Sequence, residues 1–247
     1  MSSLRNRQGP PPEQLWKSWD RKARKQGFHS TIYSSDGSQY KGEWKNDKKH
    51  GKGIYIWKST GDFYEGDFAN DARNGFGTLT VKTSDGKFQR QYAGGWKNNM
   101  RHGYGNLFFS DNEYYEGEFY ADKRNGWGRM FYADGSTYEG QWLDDKRHGT
   151  GICDYVIWFF LLLANDNRYE GEWRDNKKHG HGKFFYVTRG QLMEGLWVDD
   201  ICKAGEMKDF GRDQAILPTP YPIPDLSLAQ PDQVLAEAEA TFLATDG

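Results

Sequence analysis

The chain has 247 residues and a formal net charge of −2, with 33 Lys and Arg against 35 Asp and Glu. This near balance gives no overall argument for a nucleic-acid partner. Aromatic residues make up 16 % of the chain, and two cysteines are too few for a disulfide framework. The Pro-rich N-terminus contains no apolar signal region, so we expect a cytoplasmic protein whose core is aromatic rather than aliphatic.

Residues 1–28 are predicted to form an N-terminal tail and a capping helix. Apolar residues recur at helical spacing within Pro12–Gln26, and Gly27 can terminate that helix. We expect the helix to cover the first exposed strand; the alternative is that it binds a partner. His29–Ser34 and the turn at Asp36-Gly37 are typical of half of a repeat.

A repeated motif, Tyr-x-Gly-x-(Trp/Phe), dominates residues 29–210. It occurs six times and once more in degenerate form, and the starts are Tyr40, Tyr64, Tyr92, Tyr115, Tyr138, Tyr169 and Met193. Eleven residues after each of the first six starts comes a Gly-x-Gly pair. Such a period means that each unit is one small element that must bury its apolar face against its neighbours.

Each unit is predicted to contain two antiparallel strands and two turns. Alternating runs flank Asp134-Gly135, which is a strong hairpin signal. Tyr138, Gly140 and Trp142 follow at every second position and therefore share one face of a strand. A further turn leads to Gly149-x-Gly151 and a new strand. The predicted fold is an all-β repeat: an elongated, single-layer, twisted antiparallel sheet of stacked hairpins, with a short helix at each end.

One interval breaks the period. The gap between Gly151 and Tyr169 is longer than the other gaps, and the excess contains the apolar run Val156–Leu163 within an insertion at about residues 155–164. This run is too short to span a bilayer and would promote aggregation if exposed. Three interpretations stay open: an isoform or gene-model artefact that a short turn would replace, an overlong hairpin that packs on itself, or a finger that inserts into a membrane or a partner.

The C-terminal residues 211–247 are predicted to form a Pro-rich extension and a short helix. Leu217–Pro224 is Pro-rich and is expected to be extended. Asp225–Gln230 leads into a helix over Pro231–Ala244. The residues predicted on one side of this helix are Val234, Leu235, Ala238 and Phe242.

The glycines and histidines of the repeats do not indicate a cofactor or metal site. Each Gly-x-Gly pair opens a strand, whereas phosphate-binding glycine loops open a helix, so we assign the glycines a structural role. The glycines of the tyrosine motif are Gly42, Gly66, Gly94, Gly117, Gly140, Gly171 and Gly195. The histidines that share one slot are His50, His102, His148 and His179. Slots in neighbouring repeats lie about 10 Å apart, too far to share an ion. No nucleophile–base pair converges, so we predict a non-enzyme without cofactor, metal or small-molecule substrate.

A basic residue lies nine positions after each of the first six starts. These residues are Lys49, Arg73, Arg101, Arg124, Arg147 and Lys178. Stacked hairpins would align them along one edge of the sheet, where an Asp or Asn two positions earlier in the same hairpin weakens the positive field. These bases either belong to the turns of a solvent-exposed edge or form a row that binds an acidic partner or anionic lipid. Attraction to a charged lipid surface contributes about 1 kcal/mol per base.

The second candidate surface is the row of rings that the motif contributes. Its members are Tyr40, Trp44, Tyr64, Phe68, Tyr92, Trp96, Tyr115, Phe119, Tyr138, Trp142, Tyr169, Trp173 and Trp197. In a single-layer sheet part of this face has no second layer above it, so a long aromatic groove is a natural seat for a partner's helix or extended segment. The alternative is that the rings only pack on one another.

The unit Tyr-Glu-Gly-Glu-Trp…Lys-Lys-His-Gly-His-Gly at residues 169–182 resembles the MORN repeat (membrane occupation and recognition nexus). The resemblance covers about Tyr33 to Phe210, and flanking segments at residues 15–23, 209–213 and 234–238 resemble those of one particular member of that family. It implies a rod of hairpins that serves as a scaffold. Family members are associated with flagella, radial spokes, male germ cells and membrane junctions, and some hold a partner's helix in the aromatic groove.

The sequence therefore predicts a non-enzymatic scaffold that docks protein partners along the aromatic groove. The resemblance places it in flagellar, axonemal or male germ-cell assemblies, including the acrosomal region of sperm, where it would tether axonemal, signalling or regulatory proteins. The alternative is a peripheral membrane tether that binds anionic lipid through the basic row.

Overall fold

The computed structural model describes residues 15–159, 163–223 and 231–244. This part of the chain consists of antiparallel strands in hairpins, with one short helix near each end, which confirms the predicted all-β repeat fold. The chain divides into two compact units, Met1–Gln89 and Arg90–Gly247.

The first unit holds a helix and five strands, and each strand pairs antiparallel with the next along the chain. The elements are α1 (Leu15–Ala23), β1 (Gly27–Tyr33), β2 (Gln39–Lys45), β3 (Lys48–Ile56), β4 (Phe63–Ala69) and β5 (Ala72–Lys82). The helix predicted over Pro12–Gln26 is confirmed over Leu15–Ala23, and residues 12–14 lie outside the described part. The predicted half-repeat is β1, which pairs with β2. The covering role of α1 stays a prediction.

The second unit holds ten strands, the first of which begins just before the boundary, and a C-terminal helix. The elements are β6 (Phe88–Lys97), β7 (Met100–Ser110), β8 (Glu113–Tyr120), β9 (Lys123–Phe131), β10 (Thr137–Leu143), β11 (Lys146–Phe159), β12 (Leu163–Arg174), β13 (Lys177–Tyr186), β14 (Gln191–Val198), β15 (Ile201–Asp209) and α2 (Pro231–Ala244). Consecutive strands again pair antiparallel. The predicted bounds of α2 are confirmed, whereas residues 224–230 lie outside the description.

A two-residue turn closes the hairpin of every repeat. In the turn after β10 both residues have positive φ, 48° at Asp144 and 68° at Asp145. This is the type I′ turn, whose twist matches that of the strands and which favours Asn and Asp. The seven turns are Asn46-Asp47, Asn70-Asp71, Asn98-Asn99, Ala121-Asp122, Asp144-Asp145, Asp175-Asn176 and Asp199-Asp200. The degenerate copy at Met193 therefore folds as a hairpin like the others.

The strand register places the glycines of neighbouring strands opposite one another, and the tyrosines lie across these pairs. A Cβ added at Gly151 would lie 2.4 Å from the hydroxyl oxygen of Tyr138, and one added at Gly140 would lie 2.5 Å from the Gly151 Cα. Only glycine leaves room for the ring. The Tyr138 hydroxyl then donates to the carbonyl oxygen of Gln141 at 2.9 Å, a bond repeated by the tyrosines that start the other five repeats.

The long interval before Tyr169 is an extended hairpin. Strands β11 and β12 pair from Gly149↔Trp173 to Phe159↔Leu163, whereas pairing with the flanking strands β10 and β13 stops at Asp154 and Arg168. Beyond Asp154 and Arg168 the described part of the hairpin consists of the two paired strands β11 and β12. Residues 160–162 lie outside the described part, and insertion of the hairpin into a membrane or a partner stays a prediction.

We expect Gly140→Ala to lower the free energy of unfolding by about 1–3 kcal/mol, the usual cost of an extra carbon in a packed interior. The added methyl group meets backbone on one side and the Tyr138 hydroxyl on the other. Urea unfolding followed by tryptophan fluorescence measures the change. Thr150→Ala, at an exposed position on the neighbouring strand, is the matched control and should cost less than about 0.5 kcal/mol. Equal losses in the two variants would contradict the close approach.

Candidate functional site

The motif rings form a continuous layer on one face of the sheet within each unit. Tyr138 makes edge-to-face contacts with Trp142 of its own repeat and Trp173 of the next, with ring centroids 5.2 Å and 5.4 Å apart. The same alternation joins the other tyrosines to their neighbours. Such pairs contribute about 0.5–1.5 kcal/mol beyond burial. The ring layer therefore binds each repeat to the next within a unit.

This layer is buried. The six motif tyrosines keep at most 1 % of their surface exposed, and the Trp and Phe partners keep 3–5 %, apart from the half-buried Trp44 at the start. The rings are thus the core of the protein, which corrects the expectation that part of the aromatic face lies open. A partner cannot reach the ring faces without displacing the side chains that cover them.

The covering side chains belong to the basic row. The guanidinium carbon of Arg124 lies 5.6 Å from the centroid of Tyr115 and 4.3 Å from that of Trp142. Each base of the row lies over the tyrosine of its own repeat in the same way. The side chains of Arg124 and Lys178 are only 18 % and 14 % exposed. These bases, predicted as a row along one edge of the sheet, form a lid on the ring layer.

A residue of the following turn holds five bases of the row in place: Lys49, Arg101, Arg124, Arg147 and Lys178. The backbone N–H of Arg124 donates to Asp145 Oδ1 at 3.0 Å, and the N–H of Asp145 donates back to the carbonyl oxygen of Arg124 at 3.0 Å. The Arg124 Nε also donates to that carboxylate at 3.0 Å. The same reciprocal backbone bonds join Lys25–Asp47, Lys49–Asp71, Arg101–Asp122, Arg147–Asn176 and Lys178–Asp200. We call this pair of bonds the clamp.

The clamp determines which base each turn residue pairs with. Asp122, two positions before Arg124, pairs with Arg101 of the preceding repeat instead. A carboxylate thus neutralises the base one repeat earlier. Arg147 differs from Arg101 and Arg124, because the residue that clamps it, Asn176, is neutral.

Sequence reasoning missed the first clamp. In the half-repeat Lys25 occupies the position of the base, and its Nζ lies 5.1 Å from the centroid of Trp44. Gly27, at φ 74°, matches the first glycine of the later Gly-x-Gly pairs. The signal was present, because Lys25-x-Gly27 repeats the spacing of Lys49-x-Gly51. The half-repeat therefore begins before His29.

Burial shapes the titration of this layer. Desolvation raises the pKa of Tyr40 and of Tyr92 to about 12, and it raises the pKa of Tyr138 further. Desolvation also lowers the pKa of Lys178, against the opposing attraction of Asp200. The ring layer is thus built to stay protonated and uncharged, apart from its lid.

The opposite face of the sheet is polar and carries isolated exposed rings, which sequence reasoning did not single out. Tyr104 and Trp127 are 60 % and 49 % exposed there. At the C-terminal end of this face α2 contacts β14 and β15. Leu235 of α2 lines, with Lys183, Glu194 and other residues of β12 to β15, a cavity of about 580 Å³.

Residues 15–159, 163–223 and 231–244 contain neither a cluster of metal ligands nor a membrane-spanning helix. No three His, Cys, Asp or Glu side chains lie close enough there to share a metal ion. Neither of the two helices in that part is long and apolar enough to cross a bilayer.

The family model of the MORN repeat matches six segments of the chain, each of which holds a tyrosine start and its ring contacts. The segments are residues 40–61, 64–82, 92–114, 115–137, 138–158 and 169–191. The chain belongs to the MORN repeat family. The copy at Met193 lies outside the matched segments, yet its strands pair as in the other MORN hairpins, with Gly195 opposite Gly205.

The chain is also similar, along nearly its whole length, to proteins described as MORN repeat-containing protein 3. It is 51 % identical to that of Xenopus laevis over 92 % of both chains. It is 55 % identical to that of Homo sapiens over 95 % of both chains. With that of Mus musculus the identity is 52 %, over 92 % of this chain and 91 % of the relative. The similarity therefore extends beyond the repeats into the flanking segments.

We expect Asp145→Ala to destabilise the sheet by about 1–3 kcal/mol, because the variant loses the acceptor for the Arg124 N–H and places alanine at positive φ. Asp145→Asn should cost less than about 1 kcal/mol, since the ion pair it loses is half exposed. Asn176 already performs the same clamp with an amide. Urea unfolding distinguishes the two, and equal losses would show that charge rather than hydrogen-bond geometry holds the turn.

Stability should fall steeply above about pH 10, where tyrosine ionises in the unfolded chain. The raised pKa values mean that the folded state keeps its tyrosine protons longer, so stability is complete below that pH and is lost as the pH rises towards the folded values of about 12. Each tyrosine contributes a slope of about 1.4 kcal/mol per pH unit. Urea midpoints between pH 8 and pH 11 measure it, and Tyr138→Phe should make the fall less steep. A midpoint that is constant over this range would rule out protonated core tyrosines.

Proposed function

We propose that this chain is a non-enzymatic scaffold that docks protein partners along its repeat sheet. One observation carries the proposal: the contacts of tyrosine, glycine, base and turn recur in hairpin after hairpin, while the residues between them differ. A repeat sheet of this kind displays side chains in rows at a fixed spacing of about 4.8 Å per strand. Such rows suit long, shallow contacts with other proteins.

The charged groups of the repeats support a structural rather than a catalytic use. Arg101 and Arg124 each bind the carboxylate and the backbone of a neighbouring turn, so their donors are engaged in holding repeats together. An enzyme instead leaves perturbed groups poised towards a substrate. Relatives that share more than half of their residues with this chain are likewise named for their repeats.

The proposal includes partner contact on the ring face, but contact with the basic side chains that cover the rings rather than with the rings themselves. A partner on that side meets the basic lid before it meets the rings, because residues such as Arg124 and Arg147 lie over Trp142 and Trp173. Direct contact with the rings predicted to bind a partner stays a prediction, and it requires those bases to move.

The place of action is proposed on the family resemblance alone. We propose flagellar, axonemal or male germ-cell assemblies, including the acrosomal region of sperm, in which the chain tethers signalling or regulatory proteins. The alternative function, a membrane tether through the basic row, has less support. Lys49, Arg101, Arg124 and Lys178 each lie within 4 Å of a carboxylate, which weakens the field that anionic lipid would sense.

Affinity capture from ciliated or male germ cells, followed by chemical cross-linking and mass spectrometry, tests the scaffold function. With the full chain as bait we expect reproducible partners whose cross-links fall on residues between 29 and 210. Bait unfolded by urea and diluted into the same extract is the control, and it should lose those partners. Cross-links confined to residues 1–28 and 211–247 would show that the tails bind partners and that the sheet is only a spacer.

A further inference from the structure

The polar face of the second unit has a central row of side chains, here called the outer column. Tyr104 lies opposite Glu118, and Trp127 lies opposite Gln141. Side chains link these pairs: Glu118 accepts the backbone N–H of Trp127 at 3.1 Å, and Gln141 accepts that of Thr150 at 3.0 Å. The column is therefore one connected row across these strands.

The outer column continues to the C-terminal strands, where a helix already lies on this face. His181 lies opposite Leu196, which lies opposite Ala204. Leu196 is buried, at 3 % exposure, on a strand that α2 contacts. His181 Nε2 lies 3.7 Å from Glu239 Oε1 of the same helix. The chain thus shows with its own helix what kind of element covers this face.

The other end of the outer column is uncovered. Tyr104 is 60 % exposed and Trp127 is 49 % exposed, although both rings lie on strands whose backbone is fixed by pairing on each side. On the same face, four positions further along the strands, Tyr114 and Phe131 stack with centroids 4.3 Å apart. Exposed rings on a rigid support are the residues most enriched at the centres of protein interfaces.

The charge beside the two ends differs. Near α2, Lys183 and Lys208 lie within 4 Å of Glu194. These lysines neutralise the acidic charge of the strands at the place where the acidic helix α2 lies. On this face of β8, β9 and β10 the charged side chains include Glu116, Glu118, Glu139 and Arg129, and Arg129 lies opposite both Glu116 and Glu139. Arg129 lies 3.9 Å from Glu139 and 4.6 Å from the centroid of Phe131, which leaves this end acidic.

We propose that the outer column from Tyr104 to Gln141 binds an amphipathic helix of a partner protein that is rich in Lys and Arg. A helix laid across the strands advances about 5.4 Å per turn against about 4.8 Å per strand, so one turn meets each strand. Apolar residues seven positions apart on the helix are separated by about 10 Å. Tyr104 and Trp127, which lie two strands apart on the sheet, are separated by about the same distance. The basic residues of the helix lie beside Glu116 and Glu139. This site deepens the scaffold function and rests on it.

A designed peptide provides the probe. A fluorescently labelled amphipathic helix of about 21 residues carries Leu on its apolar face and Lys on its polar face, and a matched peptide carries Glu in place of Lys. Fluorescence anisotropy with the full chain should show binding of the Lys peptide that weakens between about 50 mM and about 300 mM salt. The Glu peptide should bind at least about tenfold more weakly. Equal affinity of the two peptides would overturn the proposal.

Variants locate the binding site on the sheet. The double variant Tyr104→Ser, Trp127→Ser should weaken binding of the Lys peptide at least about tenfold, because it removes both exposed rings. Glu116→Gln with Glu139→Gln should weaken it about threefold or more and reduce its salt dependence. Phe76→Ser removes a ring of 68 % exposure in the first unit and is the matched control, expected to bind as the wild type does. Thermal melts verify folding, since all these side chains lie at the surface or its margin.

The result separates this site from the scaffold function itself. Unchanged binding in the double ring variant would reject the outer column, while cellular partners cross-linked elsewhere on the sheet would leave the scaffold intact. Loss of peptide binding in that variant, together with capture of no cellular partner, would support the site and reject the function.

Discussion

The structure depends on the contact between a tyrosine ring and the bare backbone of a glycine pair. Because Gly140 and Gly151 lack a Cβ, Tyr138 can lie flat on the sheet and donate its hydroxyl to a main-chain carbonyl three residues on. In that position its ring reaches the indoles of two repeats, Trp142 and Trp173. A single layer of sheet thereby acquires a continuous core without a second sheet, since the covering layer is made of side chains from the repeats themselves.

The clamp then couples neighbouring repeats within a unit. Arg124 covers the ring layer where Asp145 of the following turn binds its backbone and Trp142 of the following repeat lies beneath it. The last repeat tests this logic. The slot nine residues after Met193 holds Cys202, which bonds locally to the carbonyl oxygen of Ala204 instead. With no turn after it, a base there would have neither partner, and nearest-neighbour coupling of this kind is what makes repeat arrays cooperative.

The parts of this fold that local chemistry determines could be predicted from the sequence. The alternation of the strands, the locations of the turns and the bounds of α2 follow from side-chain alternation, turn residues and helical spacing over a few positions. The partners of the bases could not be predicted in this way. Asp122 and Asp145 both lie near Arg124 in the repeat pattern, and only the register between hairpins shows that Asp145 is its partner. The side chains that cover the rings escaped prediction for the same reason, because they come from a neighbouring position rather than from the motif.

The two faces of the sheet therefore have different roles. The ring face must keep its residues, because its tyrosines, glycines and bases pack on one another. On the outer face a Glu, Asp or Gln of the repeat accepts a strand N–H, but the middle residue of the Gly-x-Gly pair changes from repeat to repeat: Lys52, Phe76, Tyr104, Trp127, Thr150 and His181. A scaffold needs a constant ring face that keeps its stability even along its length. It also needs an outer row that varies, because different partners bind at different places. Recognition by this chain is thus expected where the motif leaves the residues free to vary.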